Sequence, residues 1–259
     1  MTDKAHYEII DQIAVITLNS PPVNGLGQPL RQAIKDGMTQ ALADESVNAI
    51  VIASANKLFC GGADISEFGS PLAGAEPSLP DMLIEIEASD KLVIAAINGA
   101  ALGGGCELTL ACDYRYAHPK AKLGLPEVHL GILPGAGGTQ RLPRLAGVET
   151  ALKMITGGAP LTAKNASSAG IVDQLDSGEG NFLDNALSYV QSLVSSNAPR
   201  RNCAEMAVDT SQLPDNYFAE FRKSIARRTR GSLSGFLSSG LPSLLVTYGD
   251  WSRLSSVYR

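Results

Sequence analysis

Two glutamates in this chain stand beside glycine clusters, a combination that can move protons on an oxygen-bearing substrate. The first is Glu107, in Asn98-Gly99-Ala100-Ala101-Leu102-Gly103-Gly104-Gly105-Cys106-Glu107-Leu108. The apolar run 92–97 leads into this stretch and 108–112 leads out, which predicts a buried strand, a glycine turn and the first turn of a helix. Glycines let backbone N–H groups approach a ligand closely, and the first N–H groups of a helix have no internal acceptor. Such a corner suits an anion, or an oxygen that becomes negative during a reaction. Glu107 falls about one turn into the helix, where a carboxylate can cap the helix or do acid–base work. The second, Glu127, follows Leu125-Pro126 and precedes Gly135-Ala136-Gly137-Gly138. A third piece, Phe59-Cys60-Gly61-Gly62-Ala63-Asp64-Ile65, also follows a strand candidate. Ends of adjacent strands in α/β folds often share one crevice, so the three pieces are expected to meet.

Other chemistries that glycines suggest fail on spacing. A dinucleotide fingerprint needs G-x-G-x-x-G. Gly103 and Gly105 are followed by Leu108, Gly135 and Gly137 by Gln140, and Gly25 and Gly27 by Leu30. There is no phosphate-binding loop lysine and no G-x-S-x-G nucleophile elbow. His6, His118 and His129 form no metal spacing, and His129 reads as a surface loop residue. Cys60 and Cys106 read as small buried fillers.

The elements that must position these residues follow from periodicity. Residues 7–10 and 13–18 predict two strands around the tight turn Asp11-Gln12. Leu30, Ile34, Met38 and Leu42 recur at helical spacing. Residues 49–53 predict a buried strand, and 81–89 a helix. Residues 70–80, rich in Pro, Gly and Ser, predict a mobile loop. Short strands are expected at 114–117 and 122–124, and helices at about 138–146, 148–156, 162–169 and 182–195. The repeated strand–turn–helix order predicts α/β layering. Residues 197–216 read as a linker. Residues 217–230 read as a basic amphipathic helix with Phe218, Phe221 and Ile225 on one stripe.

The 259 residues suffice for one large domain, or one domain with a small appendage, and a hydrophobic fraction of 44% predicts a substantial core. A net charge of −5 argues against a nucleic-acid partner. Cys60, Cys106, Cys112 and Cys203 fit neither a zinc site nor a disulfide framework, which predicts reduced thiols. No apolar run reaches membrane-spanning length. The N-terminus lacks a secretory h-region and the C-terminus lacks a Ser-Lys-Leu type tail, so a cytoplasmic protein is expected.

On the three glycine pieces, with Cys112-Asp113 and Thr139-Gln140-Arg141-Leu142, the chain resembles the enoyl-CoA hydratase/isomerase (crotonase) family over roughly residues 7–190. The resemblance implies a spiral of ββα units with a helical C-terminal region. It implies an oxyanion hole of two backbone N–H groups, those of Ala63 and Gly104, on the thioester carbonyl of an acyl-CoA. It also implies hydration of a trans-2-enoyl-CoA, with Glu107 activating water and Glu127 protonating the α-carbon. A Δ3,Δ2-enoyl-CoA isomerase is the nearest alternative, and a non-catalytic acyl-CoA-binding remnant is another. No metal or redox cofactor is implied, because CoA is part of the substrate. CoA is expected along Val23 to Leu26 and along Ala63, Asp64, Ile65 and Ser66, with Asp64 holding the loop that presents Ala63. Gly135 is expected to add a backbone contact at the water. Some members carry a lysine where this chain has Ser66, which turns attention to Lys57 or Arg31 for a CoA phosphate.

Phe68-Gly69 and residues 216–223 resemble the N-terminal half of multifunctional β-oxidation enzymes, in which a dehydrogenase half follows. The expected division is a catalytic core at 1–196 and a helical C-terminal region at 197–259. The likeness stops near Gly231. Residues 232–259 then read as a shortened product with a shifted frame, or as a divergent helical tail. The family's trimers make a homo-oligomer a further expectation.

Overall fold

The computed structural model describes residues 3–229. The expected divergence beyond residue 231 lies outside the described residues. The chain begins with a hairpin of β1 (Ala5–Ile10) and β2 (Ile13–Leu18), paired antiparallel. Its turn residues Asp11 and Gln12 have φ of 48° and 65°, as a two-residue hairpin turn of this twist requires. Helix α1 (Gln28–Ala43) then returns the chain to β3 (Ala49–Ser54), which lies parallel to β2. Helix α2 (Leu79–Glu87) leads to β4 (Leu92–Ile97), parallel to β3. After β4 the chain does not turn directly into a helix. A short strand, β5 (Ala100–Leu102), intervenes before α3 (Gly104–Ala111). The pair β6 (Tyr114–Ala117) and β7 (Lys122–Gly124) repeats this step.

Helix α4 (Gly138–Gly157) follows a short 3₁₀ turn at Pro126–Leu130. It is interrupted at Gly147, whose φ of 78° and ψ of 162° are not helical, so the two expected helices meet at a kink. The chain continues through β8 (Leu161–Thr162), α5 (Ala163–Ser168), β9 (Gln174–Leu175) and α6 (Phe182–Ser195), and the described residues end in α7 (Tyr217–Thr229). Six strands form one sheet in the order β1-β2-β3-β4-β6-β9, parallel except at β1/β2. A second sheet has the order β5-β7-β8. From β4 to β7 the chain alternates between the sheets, with α3 between the two turns, which is the crotonase-like spiral expected from the sequence.

The large sheet is covered on both faces. Ile16, Ile50, Ile52, Val93 and Ala95 enter the main core, while Val15, Val51, Ile94 and Ala96 face Ala186, Leu187 and Val190 of α6. Strands buried on both sides need apolar residues at every position, so they read as unbroken hydrophobic runs. No helix among the described residues is long and apolar enough to cross a membrane.

Two segments differ from expectation for one physical reason. Residues 70–80 are not an open loop. The guanidinium of Arg31, 5% exposed, pairs with Glu67 at 2.9 Å and donates to the Ala75 and Pro77 carbonyls at 3.1 and 2.7 Å. Residues 197–216 are likewise fastened to the core: Arg200 pairs with Asp113 at 2.8 Å, Arg201 pairs with Asp173, and Cys203 is buried. A buried charge must find partners, and it gathers chain around itself to do so. On α7, Ile225 is fully buried while Tyr217, Phe218 and Phe221 are partly buried against the main core.

Candidate active site

Strand pairing brings the three glycine pieces together. Leu102 of β5 lies opposite Gly124 of β7, and Cys60 bridges to Ala101. The chain after Cys60, the start of α3 and the turn carrying Glu127 therefore leave one sheet edge side by side.

The approach bars a side chain at Gly62 and leaves only tight room for one at Gly104. A methyl group added at Gly62, where φ is +108°, would lie 2.9 Å from the Leu102 carbonyl oxygen and 3.3 Å from the Gly104 nitrogen. One added at Gly104 would lie 3.3 Å from the Ala63 nitrogen. Ala63 and Gly104 line the same cavity. Gly104 is the first residue of α3, so its N–H has no acceptor within the helix. The two N–H groups expected to polarise one oxygen are thus adjacent.

Glu107 is 2% exposed. Its Oε1 accepts from the Ala136 and Gly138 N–H groups, at 2.8 and 2.7 Å. The glycines at 135–138 have a role the sequence did not reveal: they turn the chain so that two amides grip this carboxylate. A methyl group added at Gly138 would stand 3.0 Å from Glu107 Oε1. Burial pushes the Glu107 carboxyl up, while the two amides and the nearby Arg141 charge pull it down. Glu127, 9% exposed, is placed differently. Its Oε2 is buried without a hydrogen-bond partner among the described residues. Burial and the neighbouring Glu107 charge push the Glu127 carboxyl up to about 8. Two carboxyls share the cavity and burial raises both, but their partners differ: two amides and the Arg141 charge oppose the rise at Glu107, whereas at Glu127 the Glu107 charge adds to it and Oε2 has no donor among the described residues.

This assignment has a stability signature. The folded chain keeps the Glu127 proton up to about 8, against an ordinary value of 4.5. The linked stability is whole below 4.5, falls as pH rises between the two values, and is gone once pH passes about 8. Glu127→Gln removes that loss. Its melting temperature is expected to exceed the parent's at about pH 8.5, with the gap narrowing toward about pH 5. A gap equal at both pH values, read by thermal scans, would remove the raised carboxyl from the account.

The cavity has a volume of about 220 Å³. Besides the glycines and the two glutamates, Ile65, Phe68, Leu79, Leu130, Ile132 and Leu133 line it. Of these, Ile65 was expected on the substrate, whereas Leu79, Leu130, Ile132 and Leu133 were not singled out from sequence, because isolated leucines and isoleucines near loops carry no spacing signal. Four of them, Ile65, Phe68, Leu130 and Ile132, are exposed. A groove of about 350 Å³ shares Gly61, Gly62, Ala63 and Ile65 with this cavity and runs along residues 20–23, Gly25 and Asp64.

Val23, Ala63, Asp64, Ile65, Gly104 and Gly135 thus line one or other space. Leu26 does not. It is fully buried, and its N–H donates to the Gly62 carbonyl at 2.8 Å, so it holds the loop from behind. Ser66 lies outside both spaces and donates its hydroxyl to Asp64 at 2.7 Å. That carboxylate also accepts from the Ser66 N–H, which braces the loop presenting Ala63. Arg31 is spent on Glu67 and backbone carbonyls, so it is not a phosphate ligand, whereas Lys57 is exposed. The Cys60 thiol is fully buried and pushed up to about 12, consistent with a filler. Among the described residues, no three His, Cys, Asp or Glu side chains cluster as metal ligands.

The sequence profile of the family described as enoyl-CoA hydratase/isomerase matches residues 8–225. A peroxisomal bifunctional enzyme of Danio rerio is 46% identical over 231 residues, covering 89% of this chain and 32% of that protein. The glyoxysomal fatty acid beta-oxidation multifunctional protein MFP-a of Brassica napus is 46% identical over 170 residues, or 63% of this chain and 23% of that protein. The chain spans about a third or less of the length of these relatives. Among solved structures, a carnitinyl-CoA dehydratase from Mycobacterium avium superposes with a TM-score of 0.71 at 28% identity, covering 99% of this chain and 91% of that one. An enoyl-CoA hydratase from Bacillus anthracis superposes with a TM-score of 0.68 at 28% identity, covering 98% and 95%. The cytoplasmic expectation draws no support from relatives whose names place them in peroxisomes and glyoxysomes.

Proposed function

We propose, starting from the fact that this chain belongs to the enoyl-CoA hydratase/isomerase family, that it adds water to trans-2-enoyl-CoA thioesters to give 3-hydroxyacyl-CoA in fatty-acid β-oxidation. The observation that carries the reading is the pair of unlike carboxyls on one cavity, beside two converging N–H groups. In this reading the thioester oxygen accepts from the Ala63 and Gly104 N–H groups. Ionised Glu107 takes a proton from water as its oxygen bonds to the β-carbon. Negative charge moves through the conjugated system onto the thioester oxygen, where the two donors meet it. Protonated Glu127 gives its proton to the α-carbon. The pair ends with its proton on Glu107 and is reset by passing it back, so the two titrate together. Because Glu127 must be protonated, hydration falls as pH rises through about 8. No metal or redox group enters these steps. Val23, Asp64 and the backbone of the groove support CoA, and Lys57 is the side chain proposed for a phosphate.

The isomerase reading has one specific support. Glu127, with an unpartnered Oε2, could carry a proton between two carbons without Glu107 activating water. One measurement separates the readings. Loss of the conjugated-thioester absorbance of crotonyl-CoA on adding the protein is the expected result. No loss, with turnover of a 3-enoyl-CoA instead, would establish the isomerase. Binding without either reaction would leave an acyl-CoA-binding remnant. For the compartment, the four buried unpaired thiols support a reducing environment, which the cytosol and the peroxisome matrix both offer.

A further inference from the structure

Behind Glu107, a chain of contacts runs to a second, more distant carboxylate. Ala136 donates its N–H to Glu107 Oε1 at 2.8 Å, and its carbonyl accepts from Arg141 Nη1 at 2.8 Å. Arg141 Nη2 in turn meets Glu87 Oε2 at 2.9 Å. Ala136 therefore meets the carboxylate through its N–H and the guanidinium through its carbonyl, two groups in successive peptide units of one turn. All four residues are buried: Arg141 is fully enclosed, and Glu87, Ala136 and Glu107 are 6%, 5% and 2% exposed.

We propose that the Glu87–Arg141 pair is a positioning device that holds Glu107 in its proton-accepting state, by the balance of its charges and by fixing the turn at Ala136 that carries the gripping amides. This rests on the reading of Glu107 as the base given above.

The Arg141 bond to the Ala136 carbonyl fixes the turn that aims the Ala136 and Gly138 N–H groups at Glu107, and donors to a carboxylate favour its charged form. A nearby cation also favours the charged form directly. Glu87 has the opposite sign and moderates that field, so the field at Glu107 depends on the balance of the pair. Bracing two helices is a weak reason to bury such a pair, since apolar residues of similar volume often serve as well. The geometry is not that of a pure clamp either. Glu87 engages the guanidinium through one oxygen, and its Oε1 has no hydrogen-bond partner among the described residues. The other titratable groups around Glu107 are Glu127 on the 3₁₀ turn and the Cys106 thiol on its own helix, while Arg115, Asp113, Arg144, Cys112 and Cys203 surround the Glu87–Arg141 pair. None of these is bonded to Ala136 in the described contacts.

The device predicts shifts of opposite sign. Protein labelled with ¹³C at the glutamate δ-carbon gives a titration midpoint for Glu107, assigned by its disappearance in Glu107→Gln. The midpoint is expected to rise in Arg141→Gln, which removes the cation, and to fall in Glu87→Gln, which leaves the cation unmoderated. Shifts of about half a pH unit or more are expected in each. The acidic limb of the hydration profile should follow the same two directions. The KM for crotonyl-CoA should stay near the parent's, because neither residue lines the cavity. Midpoints unmoved, or moving the same way in both variants, would reduce the pair to a brace and overturn the proposal. Should Arg141→Gln fail to fold, the near-isosteric Glu87→Gln decides alone, since only a downward shift supports the device. The titration needs no turnover. A parent that fails to hydrate crotonyl-CoA while the midpoints move as stated would overturn the hydratase reading and leave the device standing.

Discussion

Glu107→Gln is expected to lower kcat for crotonyl-CoA hydration by about 10²–10⁴ while KM changes little. The substitution is nearly isosteric. A glutamine carbonyl oxygen can still accept from the Ala136 and Gly138 N–H groups that hold Glu107 Oε1. What is lost is the charge that takes a proton from water. Water is a poor nucleophile near neutral pH, so nothing else in the cavity compensates readily. Glu127 has the wrong protonation state for the task below about pH 8. Steady-state kinetics, with calorimetric titration of crotonyl-CoA into the variant, separates chemistry from binding. Activity within a few-fold of the parent would remove Glu107 from the role of base. Loss of binding together with rate would mean that the residue shapes the cavity rather than acting in it.

The second large effect concerns a backbone donor. Gly104→Pro should lower kcat/KM by about 10²–10³, the usual consequence of losing one donor from an oxyanion hole. Proline at the first position of a helix is well tolerated, because its missing N–H has no helical partner and its fixed φ already suits the helix. Gly104 holds that position in α3. Of the atoms nearest an added Cβ, Leu79 Cδ2 at 2.8 Å is the movable end of a side chain and the Ala63 nitrogen at 3.3 Å must give by a few tenths of an ångström, so Gly104→Ala, which keeps the N–H, is the control for the added carbon. The fold should therefore survive, as circular dichroism would register, while the charge developing on the thioester oxygen meets one donor instead of two. A folded variant with parent-like kcat/KM would show that the Gly104 N–H is not part of the hole.

Much of this architecture was legible before the fold was seen. The runs at 13–18, 49–53 and 92–97 are apolar at every position but Thr17 because their sheet is covered on both faces, and that pattern needs no tertiary information. The two glutamates announced themselves through the glycines around them. The missed elements are the smallest. Strand β5 has three residues and β8 and β9 have two each, too few to show a period. The expectations for 70–80 and 197–216 erred because their order comes from Arg31, Arg200 and Arg201 reaching them from a distance in sequence. Local composition cannot report such a partner. Leu26 and Ser66 were placed on the substrate because they adjoin residues that do line the groove. Which side of a loop a residue takes depends on its hydrogen bonds, and those became visible only with the chain folded. Likewise, the amides that grip Glu107 belong to residues 136 and 138, and their direction is a property of the turn rather than of their side chains.

The pairing of Leu102 with Gly124 has a consequence for how this chain can vary in length. Gly104 follows one of these residues by two positions, and Glu127 follows the other by three. The hole and the acid are therefore measured out from a single rung of the small sheet. Residues 118–121, between β6 and β7, can gain or lose members while that rung holds, because the ladder resets the register beyond them. A residue gained between Gly124 and Glu127 has no such correction. It shifts Glu127 along the 3₁₀ turn by about 2 Å and swings its side chain by about a third of a turn, so Glu127 would leave the cavity although every neighbouring strand stayed in place. Insertions are thus tolerable on one side of β7 and ruinous on the other, a polarity set by two short strands.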